Sequence, residues 1–311
     1  MTAETTAHSH SHHHNHDACN HSHGVIDPSV ASSERGLWAV KWSTTGLLTT
    51  VLLQLGAVYL SGSVALLADL LHNVGDIISA LPLGIAFWLG RLSPNRRFQY
   101  GYGRVEDVAG VMIVLIIAAS AVATGYESIQ RFIHPQALEH LGVVAIAAGI
   151  GFIGNEAVAL FRIRVGNEIG SAALVADGYH ARVDGLVSLA VVISAVGLWL
   201  GYAWADPLVG LGITFALIHI VWESGQTVLT RLLDGVEPET TEALQQALAG
   251  YDYTHLKARW MGHQLYAQVC LKVDPEMSIG DGDAIASQLR SHLHQEIPYL
   301  SDISIEMQAK S

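Results

Sequence analysis

Two stretches of this chain hold the residues whose types and spacing could do chemistry. Ala68-Asp69-Leu70-Leu71-His72-Asn73-Val74-Gly75-Asp76 sets three ionisable side chains inside a long apolar run, and Ala176-Asp177-Gly178-Tyr179-His180-Ala181-Arg182-Val183-Asp184 repeats the order A-D-x-x-H-x-x-x-D. On a helix, at about 100° per residue, Asp69, His72 and Asp76 fall within an arc of about 60° on one face. A charge at bilayer depth costs at least about 2.5–3.5 kcal/mol, so it is kept where it faces a partner, an ion or a water-filled cavity. A lone intramembrane His or Asp often serves as a hydrogen bond between helices, but two matched triplets point to one shared site. Two imidazoles and two carboxylates, from His72, Asp76, His180 and Asp184, form a ligand set for a four-coordinate, borderline-soft cation, with Zn²⁺ first.

Other side chains read less sharply. With the two helices antiparallel, Asp69 lies toward the outer side of the site and Asp177 toward the inner side, where each could receive or hand on an ion behind the ligands. Arg182, two residues from His180, points roughly 200° away and is expected to pair elsewhere or line a water path. Gln54, Asn155 and Glu156 read as hydrogen-bonding groups between helices. The amino-terminal tail sets His8, His10, His12, His13, His14, His16, His21 and His23 among Ser, Asn and Asp, a composition suited to loose metal capture and not to a packed core. Near the other end, His255, His263, Cys270 and Glu306 are candidate ligands for a further metal site. His292 and His294 diverge by about 160° on their helix and are not expected to share an ion.

The elements that must position these groups follow from composition. With 311 residues, 50% hydrophobic and only 14% charged, the chain reads as an integral membrane protein, not a soluble enzyme. Its net charge of −12 and sparse basic residues exclude nucleic acid as an indicated partner. The two cysteines, Cys19 and Cys270, give no disulfide framework, and no secretory signal precedes the first apolar run. Six spans of membrane length are expected, at 37–60, 64–90, 106–132, 139–163, 170–200 and 207–233, with Pro82 placed to kink the second. Arg91, Arg96, Arg97, Arg104, Arg162 and Arg164 fall in alternate connections, which by the positive-inside rule puts both termini in the cytoplasm. The paired ligands then meet roughly 12–21 Å deep, near the midplane. Three regions result: a disordered His-rich tail (1–34), a six-span helical bundle (35–235), and a small α+β domain (236–311) with the order α-β-β-α-β and a candidate role in dimer contact.

These residues resemble those of the cation diffusion facilitators, the zinc transporter family. The similarity rests on the H-x-x-x-D pairs His72/Asp76 and His180/Asp184, the run Tyr100-Gly101-Tyr102-Gly103-Arg104, the six spans and the small terminal domain. It implies a ferredoxin-like fold for that domain, a homodimer, a tetrahedral site at His72, Asp76, His180 and Asp184 in each protomer, and export of divalent cation in exchange for protons. The histidine-rich segment is amino-terminal here, whereas the loop from Arg164 to Gly170 has no histidine.

The expectation is therefore a proton-coupled efflux transporter in the cell (inner) membrane, not an enzyme and without a catalytic cofactor. It would carry Zn²⁺, with Cd²⁺ or Co²⁺ as passengers. No H-E-x-x-H, Walker A or kinase-type loop is present. Two rival readings fit the same residues. One is a membrane metal sensor that binds without transport, and the other is an intramembrane metal-dependent hydrolase, for which Glu156 is the obvious spare acid or base.

Overall fold

The computed structural model describes residues 28–61, 70, 74, 76–78, 80–133, 141–202 and 205–310. Among these, the amino-terminal part holds the helices α1 (Pro28–Ser61), α2 (Leu81–Gly90), α3 (Arg104–Ile133), α4 (Leu141–Ile169), α5 (Ala172–Trp199) and α6 (Ala205–Leu232). Four of them, α3 to α6, contain apolar stretches of 25 to 28 residues, at 104–130, 142–169, 172–199 and 208–232. At about 1.5 Å per residue each exceeds the roughly 30 Å of a hydrocarbon core. Their outer faces are apolar, with Val122, Ile153 and Phe215 largely exposed, as lipid contact requires.

One expectation changes. Helix α1 begins at Pro28, so residues 28–34, expected to belong to the disordered tail, are helical. Proline suits that position because its fixed φ and missing N–H cost nothing in a first turn. Pro82 likewise stands in the first turn of α2, after a turn at Ala80. Residues 76–78 before that turn are also helical, so the second span is helical on both sides of the turn next to Pro82, where the kink is expected. The histidines of the tail from His8 to His23 lie outside the described residues, as do Asp69 and His72.

Helix α5 is the centre of the bundle, packed along α4 and also against α3 and α6. Its approach to α4 depends on small residues. A Cβ placed on Gly178 would stand 2.9 Å from the backbone N of Ile163, and one on Gly166 would stand 2.9 Å from the backbone N of Val175. The two glycines let the backbones meet where any side chain would push them apart. Leu83, Phe87, Ile113, Ile117, Leu174, Val183 and Leu217 fill the core around them.

The carboxyl-terminal part follows the expected order, with α7 (Pro238–Ala247), β1 (Tyr253–Met261), β2 (Gln264–Val273), α8 (Ile279–Glu296) and β3 (Leu300–Ala309). The sheet order is β1-β2-β3; β1 and β2 are antiparallel, and β2 and β3 are parallel with α8 as the crossover. Alternation along β2 turns Leu265, Ala267, Val269 and Leu271 into a core with Leu244, Leu248, Leu289 and Leu293 of the two helices. The opposite face carries Tyr266, Gln268 and Cys270. The β1–β2 turn needs Gly262, whose φ is 64°.

Candidate metal centre

The start of α5 is fixed by its cap. Ser171 Oγ accepts from the Leu174 N–H at 3.0 Å and donates to Glu106 Oε1 at 2.5 Å. From that point the helix carries Asp177, His180 and Asp184 inward at spacings of three and four residues, so that all three lie on the buried face. Asp76, from the second span, completes the group. His180 Nε2 lies 3.6 Å from Asp76 Oδ1, and His180 Nδ1 lies 3.8 Å from Asp184 Oδ2. A ring nitrogen and one oxygen from each carboxylate all lie within 4.8 Å of one another, and all three residues are buried.

These separations exceed hydrogen-bond length, and neither ring nitrogen of His180 makes a hydrogen bond among the described residues. Donor atoms around a tetrahedral ion with bonds of about 2.0 Å stand about 3.3 Å apart. The cluster is therefore close to the spacing that a small divalent cation would draw together, and two carboxylates beside one imidazole supply its compensating charge. The structure brings together three of the four expected ligands, Asp76, His180 and Asp184. His72 lies outside the described residues, as does Asp69.

Asp177, one turn before His180, has a partner that sequence reading missed. Arg162 Nη1 of α4 stands 2.9 Å from Asp177 Oδ2, and the two side chains are 1% and 0% exposed. Arg162 Nε also donates to Ser43 Oγ of α1 at 2.8 Å. The positive-inside pattern places Arg162 in a connection, although it falls within the expected fourth span. A guanidinium inside an apolar helix was the available signal. Arg182 pairs elsewhere, as expected: its Nη2 and Nε reach the two oxygens of Glu156 at 2.9 and 3.3 Å, a forked contact between α5 and α4.

A second candidate centre lies on the open face of the sheet. Strand register sets His255 beside Cys270 and Cys270 beside Glu306, and one ligand atom from each lies within 4.8 Å of the others. The fourth residue expected there, His263, is not brought to them. It sits at the tip of the β1–β2 hairpin, buried against the helical bundle. Its Nδ1 is 2.6 Å from Glu106 Oε2, its Nε2 is 3.3 Å from Ser33 Oγ, and its ring lies 5.8 Å from that of Phe87. The neighbouring Gly262 N–H donates to Asp107 at 3.2 Å. The tip thus touches α1, α2 and α3, and through Glu106 it reaches the Ser171 cap of α5. Sequence reading passed over Glu106 and Asp107, whose signal was two adjacent carboxylates in the first turn of an apolar helix.

The family model described as the cation efflux transmembrane domain matches residues 40–233, and the one described as the cation efflux protein cytoplasmic domain matches residues 236–309. A Mycobacterium tuberculosis (strain H37Rv) protein named "Probable cation efflux system protein" is 48% identical over 288 residues, covering 90% of this chain and 87% of its own. The cation-efflux pump FieF of Klebsiella pneumoniae is 26% identical, covering 84% of this chain and 88% of its own. The magnetosome protein MamB of Magnetospirillum gryphiswaldense is also 26% identical, covering 79% and 84%.

Proposed function

The chain belongs to the cation efflux family, and from that premise we propose that it exports divalent cations, Zn²⁺ first, in exchange for protons through a mid-membrane site. The ligands are His72, Asp76, His180 and Asp184. The observation that carries this reading is the buried cluster of Asp76, His180 and Asp184, whose ligand atoms converge within 4.8 Å inside a membrane bundle. Such a set favours Zn²⁺, with Cd²⁺ and Co²⁺ as related passengers, over the oxygen-loving Mg²⁺ and Ca²⁺.

Both termini face the cytoplasm of the cell (inner) membrane, and the ion enters from the side of the Arg162–Asp177 pair. Expelling a divalent cation against 100 mV costs about 4.6 kcal/mol before any concentration gradient is added. The sequence has no Walker A motif to couple this to ATP. Proton entry supplies the drive. An imidazole with an ordinary pKa of about 6.5 must be neutral to ligate, so protons arriving from outside compete with the metal and release it. The His255–Cys270–Glu306 cluster supports a second, regulatory metal site, and the terminal domain supports a homodimer. The His-rich tail would buffer metal nearby.

Zinc flux in proteoliposomes tests the reading. Uptake should rise when a pH gradient is imposed in the exchange direction. Flux indifferent to the gradient removes the proton coupling, and binding without flux favours a sensor.

A further inference from the structure

Helix α6 carries a second pair of ionisable side chains at bilayer depth, which the site above does not use. His219 Nε2 lies 3.4 Å from Glu223 Oε1, one turn apart, and the side chains are 66% and 57% exposed. Both fall within the apolar stretch 208–232, beside the exposed Phe215, Ile218 and Trp222. A carboxylate held among such residues must meet water, an ion or protein, not hydrocarbon.

Glu223 does meet open space. It lines a cavity of about 570 Å³ between α5, α6 and the carboxyl-terminal domain, whose walls include Tyr179, Gln226, Arg231 and Glu239. Arg231 is already committed, with Nε 2.6 Å from Glu237 Oε1 and Nη1 2.5 Å from the Gly170 carbonyl. Glu223 and Glu239 therefore set the sign of the cavity, which favours cations. Ser224 lines the same wall, and its Oγ is buried without a hydrogen bond among the described residues. Depth matters as well. At about 1.5 Å per residue, Glu223 lies roughly 13 Å from the Leu232 end of α6, and His180 lies roughly 12 Å from the Ala172 end of α5. The helices are consecutive and antiparallel, so the two residues are level. Tyr179, which precedes His180, faces the same cavity as Glu223.

We propose that His219 and Glu223 form a second binding site for a divalent, borderline-soft cation, filled through this cavity and serving to load the buried site across α5. The inference rests on the transport reading for its direction. One imidazole and one carboxylate leave the remaining positions to water, so the ion stays partly hydrated and is released readily. The imidazole discriminates against Mg²⁺ and Ca²⁺ before the ion reaches His180.

Two measurements on the full chain test this. In proteoliposome flux, His219→Gln and Glu223→Gln should each raise the KM for Zn²⁺ about tenfold while leaving the maximal rate close to wild type. An unchanged KM overturns the proposal, and so does a lowered maximal rate at constant KM, the mark of a bundle defect. Co²⁺ titration in nanodiscs, followed by visible absorption, reads binding apart from transport: each variant should lose one equivalent relative to wild type. Equal uptake by variant and wild type overturns the site whether or not vesicles transport. A variant that turns from dimer to monomer in light scattering with its Co²⁺ uptake intact would assign the pair to contact between copies instead, and that also overturns it. Retained Co²⁺ binding at this pair with no wild-type flux would defeat only the transport reading.

Discussion

Replacing Arg162 with Met should destabilise the bundle severely, whereas replacing both partners of its ion pair should not. Arg162 Nη1 and Asp177 Oδ2 are 2.9 Å apart, and the side chains are 1% and 0% exposed. At an effective dielectric constant near 20, unit charges about 4 Å apart attract by about 4 kcal/mol. The single substitution forfeits this attraction and the 2.8 Å contact of Arg162 with Ser43, and it leaves a carboxylate buried alone. Breaking a buried pair from one side costs about 3–5 kcal/mol, but exchanging both partners for apolar groups of similar volume is often close to neutral. At about 2–4 °C per kcal/mol for a unit of this size, Arg162→Met should lower the melting midpoint by roughly 6–20 °C. Arg162→Met/Asp177→Leu should recover most of that fall. Thermal unfolding of the purified variants, followed by tryptophan fluorescence, measures the cycle. Small and additive effects of Arg162→Met and Asp177→Leu would refute the argument, because they would mean that the two charges do not support each other.

Three further outcomes follow from the same contacts. Glu106→Gln weakens the charge-assisted bond to His263, worth about 1.5–3 kcal/mol, so hydrogen exchange at Gly262 and His263 should accelerate while the β2 core amides stay protected. Equal acceleration throughout the domain would contradict a local anchor. Gly178→Ala would put a Cβ 2.9 Å from the backbone N of Ile163 and should abolish insertion of folded protein. Gly149→Ala, with nothing within 4 Å of its Cβ, should be neutral, and a folded Gly178→Ala protein would show that α4 and α5 need not approach so closely. Cys270→Ser should lose one equivalent of bound Zn²⁺ relative to wild type, as counted by equilibrium dialysis, and equal stoichiometry would remove the sheet-face site.

Much of the fold was legible because its signals are periodic. The apolar stretches from Arg104 to Leu232 are long enough that only a membrane explains them, and Leu265, Ala267, Val269 and Leu271 alternate as a half-buried strand must. The α-β-β-α-β order followed from the turn at Gly262 and the ladder of Leu289 and Leu293 on α8. At the site, His180 and Asp184 were found because polar groups one turn apart stand out in an apolar helix. Asp76 joins them only through the packing of a separate span, which the repeated motif implied without fixing.

What was not legible depends on contacts between distant segments. Arg162 looked like a loop charge because its partner, Asp177, lies 15 residues later on another helix. His263 looked like a metal ligand because strand alternation cannot reveal that the hairpin tip is pressed against Glu106, 157 residues earlier. Residues 28–34 looked like tail because their composition is polar, and their helix is continuous with apolar turns that begin only at Leu37. His219 and Glu223 are not legible in the sequence because only the packing of α6 against the carboxyl-terminal domain sets Glu223 on the wall of a cavity.

The most direct measurement is Zn²⁺ flux in proteoliposomes containing His72→Ala, Asp76→Ala, His180→Ala or Asp184→Ala, each reconstituted in an amount matched to wild type. The proposed site predicts that every one of these variants folds and inserts yet carries no more zinc than protein-free vesicles. Near-normal flux through His180→Ala would contradict it, since the imidazole between Asp76 and Asp184 would then not hold the ion.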